Sequence, residues 1–262
     1  MNTLRDGWVL TVRKLQQYRS GPEILIFSTV QPVMFVLLFS YVFGGAIAVQ
    51  GSNYREFLMA GIFAQTVTFT VGITSVGVAD DMQKGLVDRF RSMPIPRVSV
   101  LIGRTLGDSS RNILVVTVMA LCGLLVGWRA NNGLLPAVAA FLLLLAFGYA
   151  MAWVGCLIGL SVPSTEVANI VGFIWLFPLT FTSNAFVPTA TMPRWLQVAA
   201  EWNPISAIVA ALRELFGNEN PTAVGGGSFP MQHPIATSLF YIALLLAIFV
   251  PLSVRKFKNV SR

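Results

Sequence analysis

Six long apolar runs, separated by shorter stretches that hold nearly all the charge, set the layout of this chain. They cover about Ile24–Gly44, Phe57–Ala79, Asn112–Trp128, Leu135–Leu160, Val167–Pro188 and Ile235–Val254. Each approaches the roughly 20 residues a helix needs to cross a hydrocarbon core. Gln31-Pro32 interrupts the first run, freeing a carbonyl that only neighbouring helices or water can satisfy. Gln65 stands near the middle of the second. Arg129-Ala-Asn-Asn-Gly133 is a tight polar turn into the fourth. Pro163-Ser164-Thr165-Glu166 reads as a short loop and helix start, with Ser164 as N-cap. The pattern predicts an all-α polytopic membrane protein with six transmembrane helices and both termini on one side.

Two polar-apolar stretches predict helices of another kind. Over residues 3–19, Leu4, Trp8, Val12 and Leu15 share one helical face, and Arg5, Arg13, Lys14 and Arg19 ring the rest. That is an amphipathic helix suited to the headgroup region, or to a partner helix, ended by Gly21-Pro22. On the far side, residues 189–234 separate the fifth and sixth runs. Met192-Pro193-Arg194-Trp195-Leu196 opens one helical stretch there and Asn203-Pro204 breaks it. A second, Ile205–Phe216, stops at Gly217. Both are too short to cross, and Trp195 and Trp202 suit an interfacial aromatic belt, so the pair is expected to be re-entrant or interfacial. Gly225-Gly226-Gly227 follows as a flexible loop, and the lone His233 after it reads as incidental.

The remaining charged segment, Asp80–Arg111, holds six basic residues (Lys84, Arg89, Arg91, Arg97, Arg104, Arg111) and four acidic ones (Asp80, Asp81, Asp88, Asp108). Met93-Pro94-Ile95-Pro96 ends one helical run before another begins. Fourteen of the 18 basic residues fall on the side of this segment and the termini, leaving Arg55, Arg129, Arg194 and Arg213 for the other. That asymmetry predicts cytoplasmic termini and a cytoplasmic central segment. Arg104 and Arg111 serve this topology near the base of the third run. Met82, Leu86 and Phe90 form an i, i+4, i+8 apolar ridge flanked by Arg89 and Arg91, the composition of an interface hot spot. Composition alone leaves equally open a ridge resting on the membrane with its arginines on phospholipid.

Composition agrees with the runs: 55% hydrophobic, 11% charged and mean hydropathy +0.71, against about 25% charged in soluble domains. The net charge of +7 marks the ends of apolar runs, with no basic stripe on a soluble domain, so it does not point to nucleic acid. Cys122 and Cys156 lie inside apolar runs without metal-ligand spacing and read as inert thiols. The first run is too long for a signal-peptide core, and Ala46-Ile47-Ala48 only loosely matches a cleavage site. No phosphate-binding loop, H-E-x-x-H or G-x-S-x-G occurs. No acidic or basic residue is expected at mid-membrane, which argues against an ion-coupled carrier, although coupling through backbone carbonyls stays open. Gln65, Asn169, Ser183 and Asn184 are the polar candidates for a translocation path, and interhelical hydrogen bonding explains them equally well. Glu166 is a candidate cytoplasmic gate, or simply an acid placed at a helix N-terminus.

Several short motifs recur in a characteristic order: Gln31-Pro32, Phe39-Ser-Tyr-Val-Phe43-Gly-Gly45, Gly85-Leu-Val-Asp-Arg89-Phe90-Arg91-Ser-Met93-Pro94-Ile-Pro-Arg97 with Gly103-Arg104, Phe186-Val-Pro188, Met192-Pro193-Arg194-Trp195 and Asn203-Pro204. Together they resemble the ABC type-2 permeases, specifically the daunorubicin-resistance-type exporters, across essentially the whole chain. Related permeases often carry a Glu-Arg-Glu-like run before the glycine, where this chain has Asp81-Met82-Gln83-Lys84. The resemblance implies a single transmembrane domain over 1–262, with the N-terminal amphipathic helix as connecting helix and a cytoplasmic coupling helix around Val87–Arg97. A cytoplasmic ATP-binding subunit would dock on Leu86, Arg89, Phe90, Arg91, Met93 and Ile95. ATP and Mg would bind in that subunit, with no catalytic residue, metal or cofactor in this chain. Two permease chains, identical or sister, would pair in the bacterial cytoplasmic membrane. The cargo implied is a hydrophobic drug, antibiotic or lipid. Export of a lipid-linked glycan, a non-transporting scaffold and a self-powered carrier are the alternatives.

Overall fold

Helix is the only regular structure among the described residues, as a chain surrounded by lipid requires if its backbone amides are to be satisfied internally. The structure, a computed structural model, describes residues 22–43, 54–85, 97–189, 192–218 and 228–259. The amphipathic stretch 3–19, and Leu86, Arg89, Phe90, Arg91, Met93 and Ile95 of the docking segment, lie outside them. In chain order the helices are α1 (Pro22–Leu38, continued by a π-helical turn Phe39–Phe43), α2 (Tyr54–Thr68), α3 (Thr70–Gln83), α4 (Arg97–Val126) and α5 (Leu134–Gly159). They continue as α6 (Thr165–Phe173), α7 (Leu176–Phe181), α8 (Arg194–Glu201), α9 (Pro204–Phe216), α10 (Phe229–Gln232) and α11 (Pro234–Asn259).

Four helical stretches among the described residues are long and apolar enough to cross a membrane: Tyr54–Gln83, Val98–Val126, Leu134–Gly159 and Pro234–Asn259. They correspond to the expected second, third, fourth and sixth spans. The first and fifth appear as shorter apolar helices, Thr29–Val42 and Thr165–Phe181. The fifth is stepped, and the reason is local. Pro178 has no N–H to offer the Ile174 carbonyl, so the helix breaks between Phe173 and Leu176.

α2 and α3 together make the axis of the bundle. Of its apolar window 89% is buried inside the protein, against 17% for α11 at the periphery. Residues 57–65 are buried without interruption, so this helix touches protein on every side. α5 closes on it through Gly155 and Gly159. A Cβ at Gly155 would stand 2.5 Å from the Val71 carbonyl oxygen, and one at Gly159 2.5 Å from that of Ser75. The small-x-x-x-small spacing lets the two backbones meet, the close approach on which helix pairs in lipid depend.

One expectation needs correction. The sequence predicts the third span at Asn112–Trp128, after the charged cytoplasmic segment Asp80–Arg111, yet α4 already starts at Arg97. From Pro96 to the end of α4 the sequence holds no further proline, and Leu101, Thr105, Asp108 and Asn112 are buried at helical spacing. Residues 80–83 likewise finish α3. Asp108 (2% exposed) and Arg111 (5% exposed) are buried in this first half of α4.

The helix ends gather at two poles. At one, Phe257 of α11 packs with Val78, Leu101, Trp153, Cys156 and Leu160. Met82 leans on the same cluster, so the first residue of the apolar ridge is spent on internal packing. At the other pole, Trp128 donates its indole N–H to Asn218 Oδ1 (3.1 Å), and Arg55 donates to the Val126 carbonyl (3.2 Å).

Candidate functional site

Between α1 and α2 lies a small cleft of ≈ 70 Å³ with Gln31, Pro32, Phe35, Ile62, Gln65 and Phe69 in its walls. Gln65 is 3% exposed, and its amide nitrogen Nε2 is buried without a hydrogen-bond partner. Its neighbour Thr66 is satisfied by donating to the Ile62 carbonyl at 2.8 Å. Gln31, by contrast, is exposed at the mouth.

The Phe69 ring meets Phe173 edge-on at 5.8 Å and Phe177 at 5.5 Å. Those two rings also border a shallow surface hollow with Asn169. Gln65 and Asn169 therefore stand on opposite sides of one aromatic cluster. Ser183 and Asn184 are elsewhere, buried in the turn after α7. Ser183 Oγ donates to the Thr180 carbonyl, and the Asn184 N–H donates to Ser206 Oγ at 3.0 Å.

That turn is held by Arg213, which the sequence counts only as an outer charge. Its side chain is fully buried in α9 and donates to the carbonyls of Phe57 (Nε 3.1 Å, Nη2 3.0 Å) and Asn184 (Nη2, 3.0 Å). The guanidinium also sits 3.6 Å over the Phe57 ring. Gly61 supports the same contact, since any Cβ there would collide with the Ala185 carbonyl. A basic residue in the last turn of an apolar helix is the available sequence signal, but its carbonyl partners are invisible there.

At the opposite pole, Asp81 and Arg104 pair between α3 and α4, and Lys84 Nζ donates to Asp80 at 2.7 Å. Thr74 Oγ1 donates to Asp108 Oδ2 at 2.8 Å, with Arg104 Nε 3.6 Å from the same oxygen. Arg104 thus ties the two helices together in addition to any topological role. Above this, Thr70 donates to Asn112 Oδ1 at 3.1 Å. Ser164 caps α6 as expected, accepting from the Val167 N–H at 3.3 Å. Glu166 is exposed beside it, and the Ser164 hydroxyl, its own backbone N–H and Thr165 hold its carboxyl below the usual carboxylate range. It is therefore ionised at neutral pH, next to the positive end of α6.

α3 ends at Lys84 and Gly85, the latter in a left-handed conformation (φ 65°) that glycine favours. The family described as ABC-2 type transporter matches residues 5–216. The daunorubicin resistance ABC transporter permease protein DrrB1 of Streptomyces coeruleorubidus is 34% identical over 98% of this chain and 86% of its own length. The doxorubicin resistance ABC transporter permease protein DrrB of Mycobacterium tuberculosis (strain ATCC 25618 / H37Rv) is 27% identical over 95% of this chain and 88% of its own. A putative transport permease, ycf38, of Cyanophora paradoxa is 26% identical over 83% and 76%.

Proposed function

The chain belongs to the ABC-2 type transporter family, and on that premise we propose that it is the permease subunit of an ATP-driven exporter of hydrophobic drugs or antibiotics. It is an integral membrane protein, and its near full-length match to a daunorubicin-resistance permease carries the reading. ATP, with Mg, is bound and hydrolysed by a separate cytoplasmic subunit. That subunit docks on the connection between α3 and α4, where an apolar anchor, Phe90, stands among Arg89 and Arg91. Both termini are cytoplasmic, in keeping with the basic-residue asymmetry. A second permease chain completes the pathway, and Gln65 and Asn169 border it.

The Asp81–Arg104–Asp108 ties give the docking connection a rigid base, because a push on it moves α3 and α4 together. Co-purification with the ATP-binding subunit tests the proposal, comparing wild type with Phe90→Ala/Arg91→Glu after both pass a monodispersity check. Loss of the ATPase only from the variant is the expected result. A wild-type permease that retains no ATPase sinks the reading, and equal retention by both sinks the choice of contact residues.

A further inference from the structure

We propose that the break in the fifth span is a hinge, about which α6 swings with α3 while α7 stays with the outer turn. This rests on the reading of the chain as an exporter's permease and supplies a moving part for the inner mouth of its pathway.

The two halves of the span are fastened to different neighbours. α6 is pressed backbone to backbone on α3. A Cβ at Gly172 would stand 2.9 Å from Gly72 Cα and 2.5 Å from Ser75 Oγ. That hydroxyl donates to the Ala168 carbonyl at 3.1 Å. α3 is tied in turn to α4 through Thr74–Asp108 and Asp81–Arg104, so α6 belongs to the body that carries the docking connection. α7 is held from the other side. Asn203 Nδ2 donates to the Leu179 carbonyl at 2.7 Å, the Phe181 ring lies 5.5 Å from that of Phe186, and Arg213 fixes the turn that follows. A displacement entering at the docking connection therefore reaches α6 before α7.

Between the halves the backbone is weak. The Ile174 carbonyl would accept from residue 178, where a proline offers no N–H. Just above, Thr182 Oγ1 reinforces the helix by donating to the Pro178 carbonyl at 2.7 Å, so the weakness is confined to Ile174–Trp175. At the same level the enclosed α2–α3 helix keeps its ladder. The Phe69 N–H donates to the Gln65 carbonyl at 3.0 Å, and the Ile73 N–H to the Phe69 carbonyl at 3.5 Å. Phe69 meets Phe173 below the break and Phe177 above it, so its ring is the stop against which the span bends. Pro178 itself is exposed, which leaves backbone freedom rather than packing as its consequence. α6 bears Asn169 and, at its tip, the ionised Glu166, so its swing widens or narrows the inner mouth.

The test uses the full-length permease in nanodiscs, in a Cys122→Ser/Cys156→Ala background and diluted with unlabelled protein. Spin labels on two pairs of exposed positions, Ile170→Cys with Leu142→Cys and Val187→Cys with Leu142→Cys, report distances from α5 to α6 and to the outer turn by double electron–electron resonance. The first pair is expected to give the broader distribution. Pro178→Ala is expected to narrow it without lowering the melting temperature, and Phe69→Ala to broaden it. Should Phe69→Ala fail to give a monodisperse protein, Phe69→Leu replaces it with the same expectation. Equal widths for the two pairs, or a first pair unmoved by Pro178→Ala, overturn the hinge. Drug-stimulated ATP hydrolysis by the complex with its ATP-binding subunit is measured in parallel, and Pro178→Ala is expected to lose most of it. Full stimulation in a variant whose distribution has narrowed overturns the gating role. Wild-type stimulation without a difference in width means that the hinge fails and the exporter reading stands. Narrowing by Pro178→Ala in a permease that retains no ATPase means the reverse.

Discussion

Two glycines within transmembrane helices make a sharp contrast. At Gly155 an added Cβ meets the Val71 carbonyl oxygen at 2.5 Å and Thr74 Cβ at 2.9 Å. Carbon needs roughly 3.3 Å from a carbonyl oxygen, so α5 must retreat by close to 1 Å along a seam packed at crystal-like density. Overpacking of that size costs about 1–3 kcal/mol, and Gly→Ala in a helix returns up to about 1 kcal/mol of propensity. The net expectation for Gly155→Ala is a loss of about 1–2 kcal/mol. At Gly123 the added Cβ also comes within 2.5 Å of an atom, but that atom is Met59 Cε, the swinging end of a flexible chain. Gly123→Ala is expected to be neutral or slightly stabilising. Thermal unfolding in detergent reads both, at about 2–4 °C per kcal/mol for a chain of this size. Cys156, buried beside Gly155, supplies a second readout through maleimide labelling in a Cys122→Ser background. The seam argument is refuted if Gly155→Ala melts at or above wild type, or if the two alanine variants move together.

Other consequences follow from the buried charges. Arg213→Ala removes charged donors from three backbone carbonyls (Phe57, Asn184 and Ala185) and leaves a void, so a loss of about 3–5 kcal/mol is expected; unchanged melting would show the clamp to be idle. Asp108→Ala strands the Thr74 hydroxyl and one side of Arg104, an expected cost of about 1–3 kcal/mol. Asp108→Asn keeps an oxygen for Thr74 and should recover much of it, and equal melting of the two variants would contradict this. Ser164→Ala deletes a cap whose hydrogen bond is long, so a loss near 0.5 kcal/mol is expected, with anything above 2 kcal/mol out of line.

Much of the helical layout is legible in the sequence because apolar length and turn chemistry are local properties. The Ser164 cap, the Arg129–Gly133 turn and the end of α9 at Gly217 (φ 69°) are all where short motifs predict them. What escapes prediction depends on distant partners. The first half of α4 looks solvated because Arg104 and Asp108 are charged, yet their partners Asp81 and Thr74 lie 23 and 34 residues earlier. Gly155-x-x-x-Gly159 is visible as a spacing, but nothing local says that Val71 and Ser75 lie against it. The same holds for the candidate site. Gln65 stands out as a polar residue in an apolar run, whereas its unpartnered amide and the cleft before it exist only after α1 and α2 pack.

The enclosed α2–α3 helix also has a mechanical meaning. At 30 residues it is a beam about 45 Å long, gripped near one end by the Arg213 guanidinium and toward the other by Arg104 and Asp108 of α4, which hold its Asp81 and Thr74. Tilting such a beam by about 5° about one grip sweeps the opposite end through about 4 Å. Gln65 sits partway along the lever, so the travel it feels is a fraction of that, set by where the fulcrum lies.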